Sequence, residues 1–155
     1  MVLKFITLND NNVERYAKNM QDTNTVHVVA FLADWCGHCQ RFKPEWKKIK
    51  KHLKSKKHLY NGYVVTACDK TMNNIPCDVK PRGFPTISLF KGTKHIRDFS
   101  EERNYINVLN FIKNNVIKNN KTQSRNNKTK GKNNKSQQKK NKKGKKSRKK
   151  LKKNQ

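Results

Sequence analysis

The run Val26-His27-Val28-Val29-Ala30-Phe31-Leu32 constrains the fold more than any other segment of the chain. It is too apolar and too β-branched for a loop and too short for a typical helix, so it reads as a buried central strand. A helix is expected soon after it. Phe42, Trp46, Ile49 and Leu53 recur at i, i+4, i+7 and i+11 and form one apolar stripe, while Lys43, Lys47, Lys50, Lys51 and Lys54 point mostly to water. Pro44, inside this stretch, predicts a kink and not an end.

Between that strand and that helix stand Trp35-Cys36-Gly37-His38-Cys39. Two cysteines three positions apart at a helix start face the same side, within reach of one disulfide that can be opened and closed. Cys36 falls where the helix exposes its unpaired N–H groups. Those donors and the positive end of the helix dipole favour a thiolate, lowering the pKa below the ~8.5 of a free cysteine. Cys36 is therefore read as the nucleophile. Cys39, one turn further in and less exposed, is read as the thiol that attacks a mixed disulfide at Cys36 and releases the reduced substrate. Gly37 is expected to permit the tight entry into the helix, and His38 to stabilise the thiolate when its ring is protonated. Thiol–disulfide exchange of this kind calls for no cofactor.

The competing chemistry is half of a structural zinc site, which needs two more ligands from Cys68, Cys77 or a histidine. The C-x-x-C spacing is not repeated, and no metal is expected. Cys68 and Cys77 stay open among a strand thiol plus a loop thiol, a second disulfide, or metal ligands. His27, His52, His58 and His95 are scattered and read as structural or surface residues.

The run Phe31-Leu32-Ala33-Asp34-Trp35-Cys36-Gly37-His38-Cys39, with Phe42 and Pro44-Glu45-Trp46, resembles the active-site strand and helix of the thioredoxin superfamily, in particular the catalytic domains of protein disulfide isomerases. Gly83-Phe84-Pro85-Thr86, the strand Ile87 to Phe90 and the turn Lys91-Gly92-Thr93 are similar to the family's cis-proline loop and following hairpin. The likeness implies that Pro85 is cis, that the backbone just before it faces the cysteines, and that Trp35, Phe84 and Pro85 help to hold an extended substrate chain. It implies a redox-active disulfide between Cys36 and Cys39. Phe99-Ser100-Glu101-Glu102-Arg103, followed by Leu109 and Phe111-Ile112, resembles the approach to the last helix, where isomerase domains often carry an arginine that tunes the resolving cysteine. The matching residue is Arg103. The resemblance spans about residues 3 to 117.

One departure bears on the chemistry. The family usually buries an acidic residue beneath the cysteines, often near a lysine on the next strand, and the matching positions here are Ala30 and Ala67. Losing both charges together avoids an unpaired buried charge, but it removes the usual proton acceptor for the resolving thiol.

The other elements follow from pattern. A strand is expected from Leu3 to Leu8, then a helix capped by Asp10 or Asn11 and running to about Met20. Tyr63 to Asp69 predicts a strand with Val64, Thr66 and Cys68 on one face and Tyr63, Val65 and Ala67 on the other. Ile87 to Phe90 and Lys94 to Phe99 form a hairpin, and Asn104 to about Ile117 an amphipathic helix built on Ile106, Leu109, Phe111, Ile112 and Val116. These elements make an α/β sandwich, and the resemblance implies that it is a thioredoxin fold, a central mixed sheet flanked by helices; a monomer is expected.

Composition changes sharply near residue 118. Residues 118–155 contain eighteen Lys or Arg, no Asp or Glu, and Leu151 as the single apolar residue. Such a segment buries too little apolar surface to offset its conformational entropy, so a disordered basic tail is expected after a domain of residues 1–117. The domain keeps twenty basic and ten acidic residues, a formal charge of +10. The tail suits DNA or RNA phosphates, a nuclear localisation signal or an anionic membrane surface; with no aromatic side chain to stack on bases, nucleic-acid binding through it would be nonspecific. A merely solvated tail is the bland alternative.

No stretch approaches the ~20 apolar residues of a membrane span, and no secretory h-region precedes the first strand. The chain is therefore expected in the cytoplasm, or in the virion if its source is a large DNA virus, whose AT-rich genome would suit the many Lys and Asn residues. Two functions are weighed. The first is a protein thiol–disulfide oxidoreductase with disulfide-bearing protein substrates and a separate redox partner. The second is a nonenzymatic polyanion-binding protein in which the fold is a scaffold for the tail.

Overall fold

The structure is a computed structural model that describes residues 1–119. The buried run forms β2 (Val26–Leu32), flanked by β3 (Tyr60–Cys68) in parallel and by β4 (Thr86–Lys91) in antiparallel orientation. With β1 (Leu3–Thr7) and β5 (Lys94–Asp98) the sheet order is β1-β3-β2-β4-β5, a mixed sheet in a thioredoxin fold. Alternation splits the core into two layers. Val28, Ala30, Leu32, Val64 and Ile87 pack on one face, and Val29, Phe31, Val65, Ala67 and Phe90 on the other.

The first layer is covered by α2 (Gly37–Ser55) and α3 (Tyr105–Asn115), the second by α1 (Val13–Asn19). α2 buries Phe42, Trp46, Ile49 and Leu53, the expected stripe, and Pro44 does not end it. Its helical period puts the first turn at the end of β2 and Lys43, Lys47, Lys51 and Lys54 outside, whereas Lys50, expected to point to water, is half-buried and donates to Thr66 Oγ1 at 3.4 Å.

Several boundaries differ from the pattern reading. The cap of α1 is Asn12 and not Asp10 or Asn11, because the asparagines here serve the loop. Asn9 Oδ1 accepts from the Asn11 amide, Asn12 Oδ1 from the Asn9 amide, and Asn12 Nδ2 donates back to the Thr7 carbonyl. In α3, Asn104 caps by accepting from the Asn107 amide at 2.9 Å. Ile106, expected in the core, is exposed, and Val108 takes that role with Leu109, Phe111 and Ile112. Val108 stands two positions after Ile106, a rotation of about 200° on the helix, so both cannot face the sheet.

β3 starts three residues earlier than expected, at Tyr60, because its first residues find a partner after α3. Ile117–Lys118 forms β6, with Lys118 opposite Tyr60 and Ile117 opposite Asn61. Asn119 follows, its amide donating to the Leu59 carbonyl at 3.0 Å. Lys118 thus belongs to the fold and not to the tail. The rest of the expected tail, from residue 120, lies outside the described residues.

Ala67 is also reassigned. It pairs with Phe31 and packs in the second layer, whereas Ala30 pairs with Thr66 in the first. The side chain beside Ala30 on β3 is Thr66, whose Oγ1 accepts from Trp46 Nε1 at 2.7 Å.

Candidate active site

The chain leaves β2 at Leu32, and the Cys36 amide donates to the Ala33 carbonyl at 3.3 Å, closing the turn into α2. Lys43 pairs with Asp34 at 2.6 Å and Gln40 Nε2 donates to the Asp34 carbonyl at 3.0 Å, fastening the turn to the helix. Cys36 is the N-cap of α2. Its Sγ accepts from the Cys39 amide at 3.4 Å, so a sulfur takes the place of the usual cap oxygen. Cys39 lies one turn deeper, fully buried, and its Sγ accepts from the Ala33 amide at 3.4 Å. Both are free thiols here.

The two environments push the thiols apart. The Cys39 amide, then the Cys39 side chain, hold the pKa of Cys36 below the ordinary thiol range against some opposition from burial, with smaller help from the His38 amide and the Arg41 guanidinium. Burial, aided by the neighbouring Cys36 sulfur, pushes Cys39 above that range; the Ala33 amide and Lys43 oppose it. One thiol is poised to ionise and the other to stay protonated.

The tuning residues act differently from the expectation. The His38 ring faces Arg41, whose guanidinium lies 2.9 Å from Nδ1, and the contribution of His38 to Cys36 comes through its main chain. The cation bearing on Cys36 is Arg41, which pattern reading missed; its place one turn into the helix was the available signal. Gly37 is not required by the turn, since a Cβ there would meet nothing within 4 Å. Arg103 is exposed, and no hydrogen bond or ion pair is described between it and either cysteine.

The opposite wall is the loop before β4. The Phe84–Pro85 peptide is cis, and the Phe84 carbonyl accepts from Cys36 Sγ at 3.5 Å. Trp35, 72% exposed, stands edge-on to Phe84 with ring centroids 5.7 Å apart. Asp69 holds it in place, accepting from Trp35 Nε1 at 2.9 Å. Pattern reading overlooked Asp69; the parallel register that sets Leu32 beside Cys68 brings the residue after β3 to the residues after β2.

Cys68 Sγ lies 3.4 Å from Thr71 Oγ1, and Cys77 packs against the second layer; both are free thiols. Among the described residues, no three His, Cys, Asp or Glu side chains are grouped to hold a metal ion.

The sequence model of the thioredoxin family matches residues 5–114. The chain belongs to the thioredoxin family. Among curated proteins, this thioredoxin-family chain is 37% identical over 89 residues to protein disulfide isomerase-like 2-3 of Oryza sativa, covering 57% of the chain and 18% of that protein. It is 41% identical over 83 residues to protein disulfide-isomerase 2-3 of Arabidopsis thaliana (51% and 18% covered) and 36% identical over 83 residues to human protein disulfide-isomerase A6 (50% and 18%). The chain thus matches less than a fifth of the length of these relatives. Among solved structures, human ERp44 aligns with TM-score 0.55 at 21% identity, over 74% of this chain and 30% of that one, and the first two thioredoxin domains of Saccharomyces cerevisiae Eps1p with TM-score 0.55 at 21% identity, over 68% and 38%. These two structures agree in fold.

Proposed function

We propose that the protein is a thiol–disulfide oxidoreductase that acts on protein disulfides through Cys36 and Cys39. The observation that carries this reading is the opposed tuning of two thiols one helical turn apart, one held towards thiolate at the cap and one buried as a thiol.

In the reducing direction the Cys36 thiolate attacks one sulfur of a substrate disulfide, forms an S–S bond to it and expels the other sulfur as a thiolate, which takes a proton. Cys39 then loses its proton and attacks Cys36 Sγ. The substrate leaves as a dithiol, and its two electrons have come from the pair, now a Cys36–Cys39 disulfide. The reverse sequence oxidises a substrate dithiol. A redox partner of the dithiol or disulfide class resets the pair. Trp35, Phe84 and Pro85 form the wall against which an extended substrate chain lies beside Cys36, with Asp69 positioning the indole.

Insulin-disulfide reduction tests the reading. Wild type is expected to be active and Cys36→Ser inert, while Cys39→Ser accumulates mixed disulfides visible on non-reducing gels. Equal trapping by both serine variants would overturn the order of attack, and full activity of Cys36→Ser the function itself. Direction follows from the reduction potential: near the about −270 mV of thioredoxin the pair is a reductant, near the about −180 mV of protein disulfide isomerase an oxidant or isomerase.

A further inference from the structure

A groove of about 540 Å³ lies between the later turns of α2 and the start of α3, lined by Glu45, Lys48, Lys51, His52, Ser55 and Tyr105. The first five come from α2, where positions 45, 48, 52 and 55 recur at helical spacing and share a face. Tyr105 opens α3 and closes the groove from the other side. It packs against the first core layer, its hydroxyl lies 2.9 Å from His52 Nδ1, and the two rings stand edge to face with centroids 6.1 Å apart. The groove therefore has a fixed aromatic wall. Its volume falls within the roughly 300–1,000 Å³ of small-molecule sites. His52 lies roughly 22 Å along the helix axis from Gly37, at about 1.5 Å per residue, so the groove is separate from the cysteines.

The charges along this wall do not balance. Lys48 and Lys51 bring two ammonium groups against one carboxylate, and that carboxylate, Glu45, is already paired with Lys48 at 3.0 Å. Ser55 Oγ donates its proton to the His52 carbonyl at 2.7 Å. Lys51 and His52 Nε2, by contrast, have no hydrogen-bond partner among the described residues. Where Nδ1 accepts from the Tyr105 hydroxyl, the ring proton stands on Nε2, so His52 has a donor to offer together with the Lys51 ammonium.

We infer that this groove binds a small organic anion with a flat ring, the ring against Tyr105 and the acidic group towards Lys51 and His52. An aromatic side chain gains from offset or edge contact with a second ring, and an acidic group gains charge-assisted hydrogen bonds from an ammonium and an imidazole N–H. A bare inorganic anion would use Lys51 and leave Tyr105 without a contact. A neutral ring would use Tyr105 and leave Lys51 without one. The wall and the unpaired donors together select a ligand that carries both features.

The test is titration of the full-length protein with naphthalene-2-sulfonate, followed by amide and imidazole NMR shifts, beside parallel titrations with sulfate and with the neutral naphthalene-2-methanol. Naphthalene-2-sulfonate is expected to shift the resonances of Lys51, His52, Ser55 and Tyr105 saturably. The neutral analogue is expected to bind about fivefold more weakly, and sulfate to leave Tyr105 unmoved. Tyr105→Ala should weaken binding of the sulfonate by roughly tenfold through the lost ring contact, and Lys51→Gln by about threefold, since the ammonium is exposed. A native amide spectrum verifies the fold of each variant. Shifts that appear only outside the groove overturn the inference, as does equal binding of the neutral analogue or of sulfate. Unchanged affinity in Tyr105→Ala overturns it too; if that variant misfolds, unchanged affinity in Lys51→Gln does so.

Discussion

The backbone N–H of Cys39 donates to Cys36 Sγ across 3.4 Å, so one cysteine stabilises the other's sulfur with its main chain while its own thiol stays buried. The two halves of the proposed reaction therefore depend on pH in different ways. Cys36, held low, should react with iodoacetamide at a rate that levels off below the ordinary thiol range. Cys39, held high by burial, is acted on by the charges of Cys36 and Lys43, and Ala30, in the same core layer, brings no carboxylate to it. Release of a mixed disulfide should accordingly be slow near neutrality and keep accelerating through and beyond that range. Rapid-quench measurement of the second step checks this, and fast, pH-insensitive release would show that another group moves the proton.

Arg41 and not the His38 ring carries the cationic help to Cys36. Arg41→Ala should displace the alkylation profile of Cys36 to higher pH and slow alkylation near neutrality by about twofold, a small effect because the guanidinium is solvated. His38→Ala, which keeps the amide, should change the profile less. A larger effect at His38 would show that its ring contributes directly.

His27 is fully buried, stacked on Tyr63 with its Nδ1 3.1 Å from Tyr16 Oη, and its Nε2 has no hydrogen-bond partner among the described residues. Burial lowers its pKa to about 4, with Asp22 weakly opposing. The unfolded chain binds the proton more readily, so neutral His27 is tolerated above about pH 6.5, and stability is lost as pH falls from there towards about 4. The loss amounts to about 3 kcal/mol when complete. Urea unfolding at about pH 7 and about pH 5 should show a larger acid loss for wild type than for His27→Phe. Equal losses would mean that carboxylates alone set the acid sensitivity.

Ala30 and Ala67 lie on opposite faces of the sheet. Ala30→Glu should therefore cost on the order of 3–5 kcal/mol as an unpaired buried charge, and adding Ala67→Lys should deepen the loss instead of repairing it. Chemical unfolding of the two variants measures this. Recovery in the double variant would require the lysine to cross the sheet plane and would contradict the register.

Local chemistry was legible in the residues alone: a strand buried on both faces, an apolar stripe at helical spacing, and two cysteines one turn apart at a helix start. Each of those signals lives within a few residues, where side-chain period and backbone geometry are enough. The family likeness extended this reach to the loop before β4. Tertiary structure alone decided the contacts set by register. Trp35 meets Asp69 across 34 residues, Cys36 meets the Phe84 carbonyl across 48, and Ala67 turns away from Ala30 because parallel pairing puts Thr66 there instead. It also drew Lys118 and Asn119 out of a run that reads as tail and into the fold. Composition averages over many residues and cannot register a two-residue strand, whereas the unpaired main-chain groups at the start of β3 need partners, and the residues just after α3 supply them.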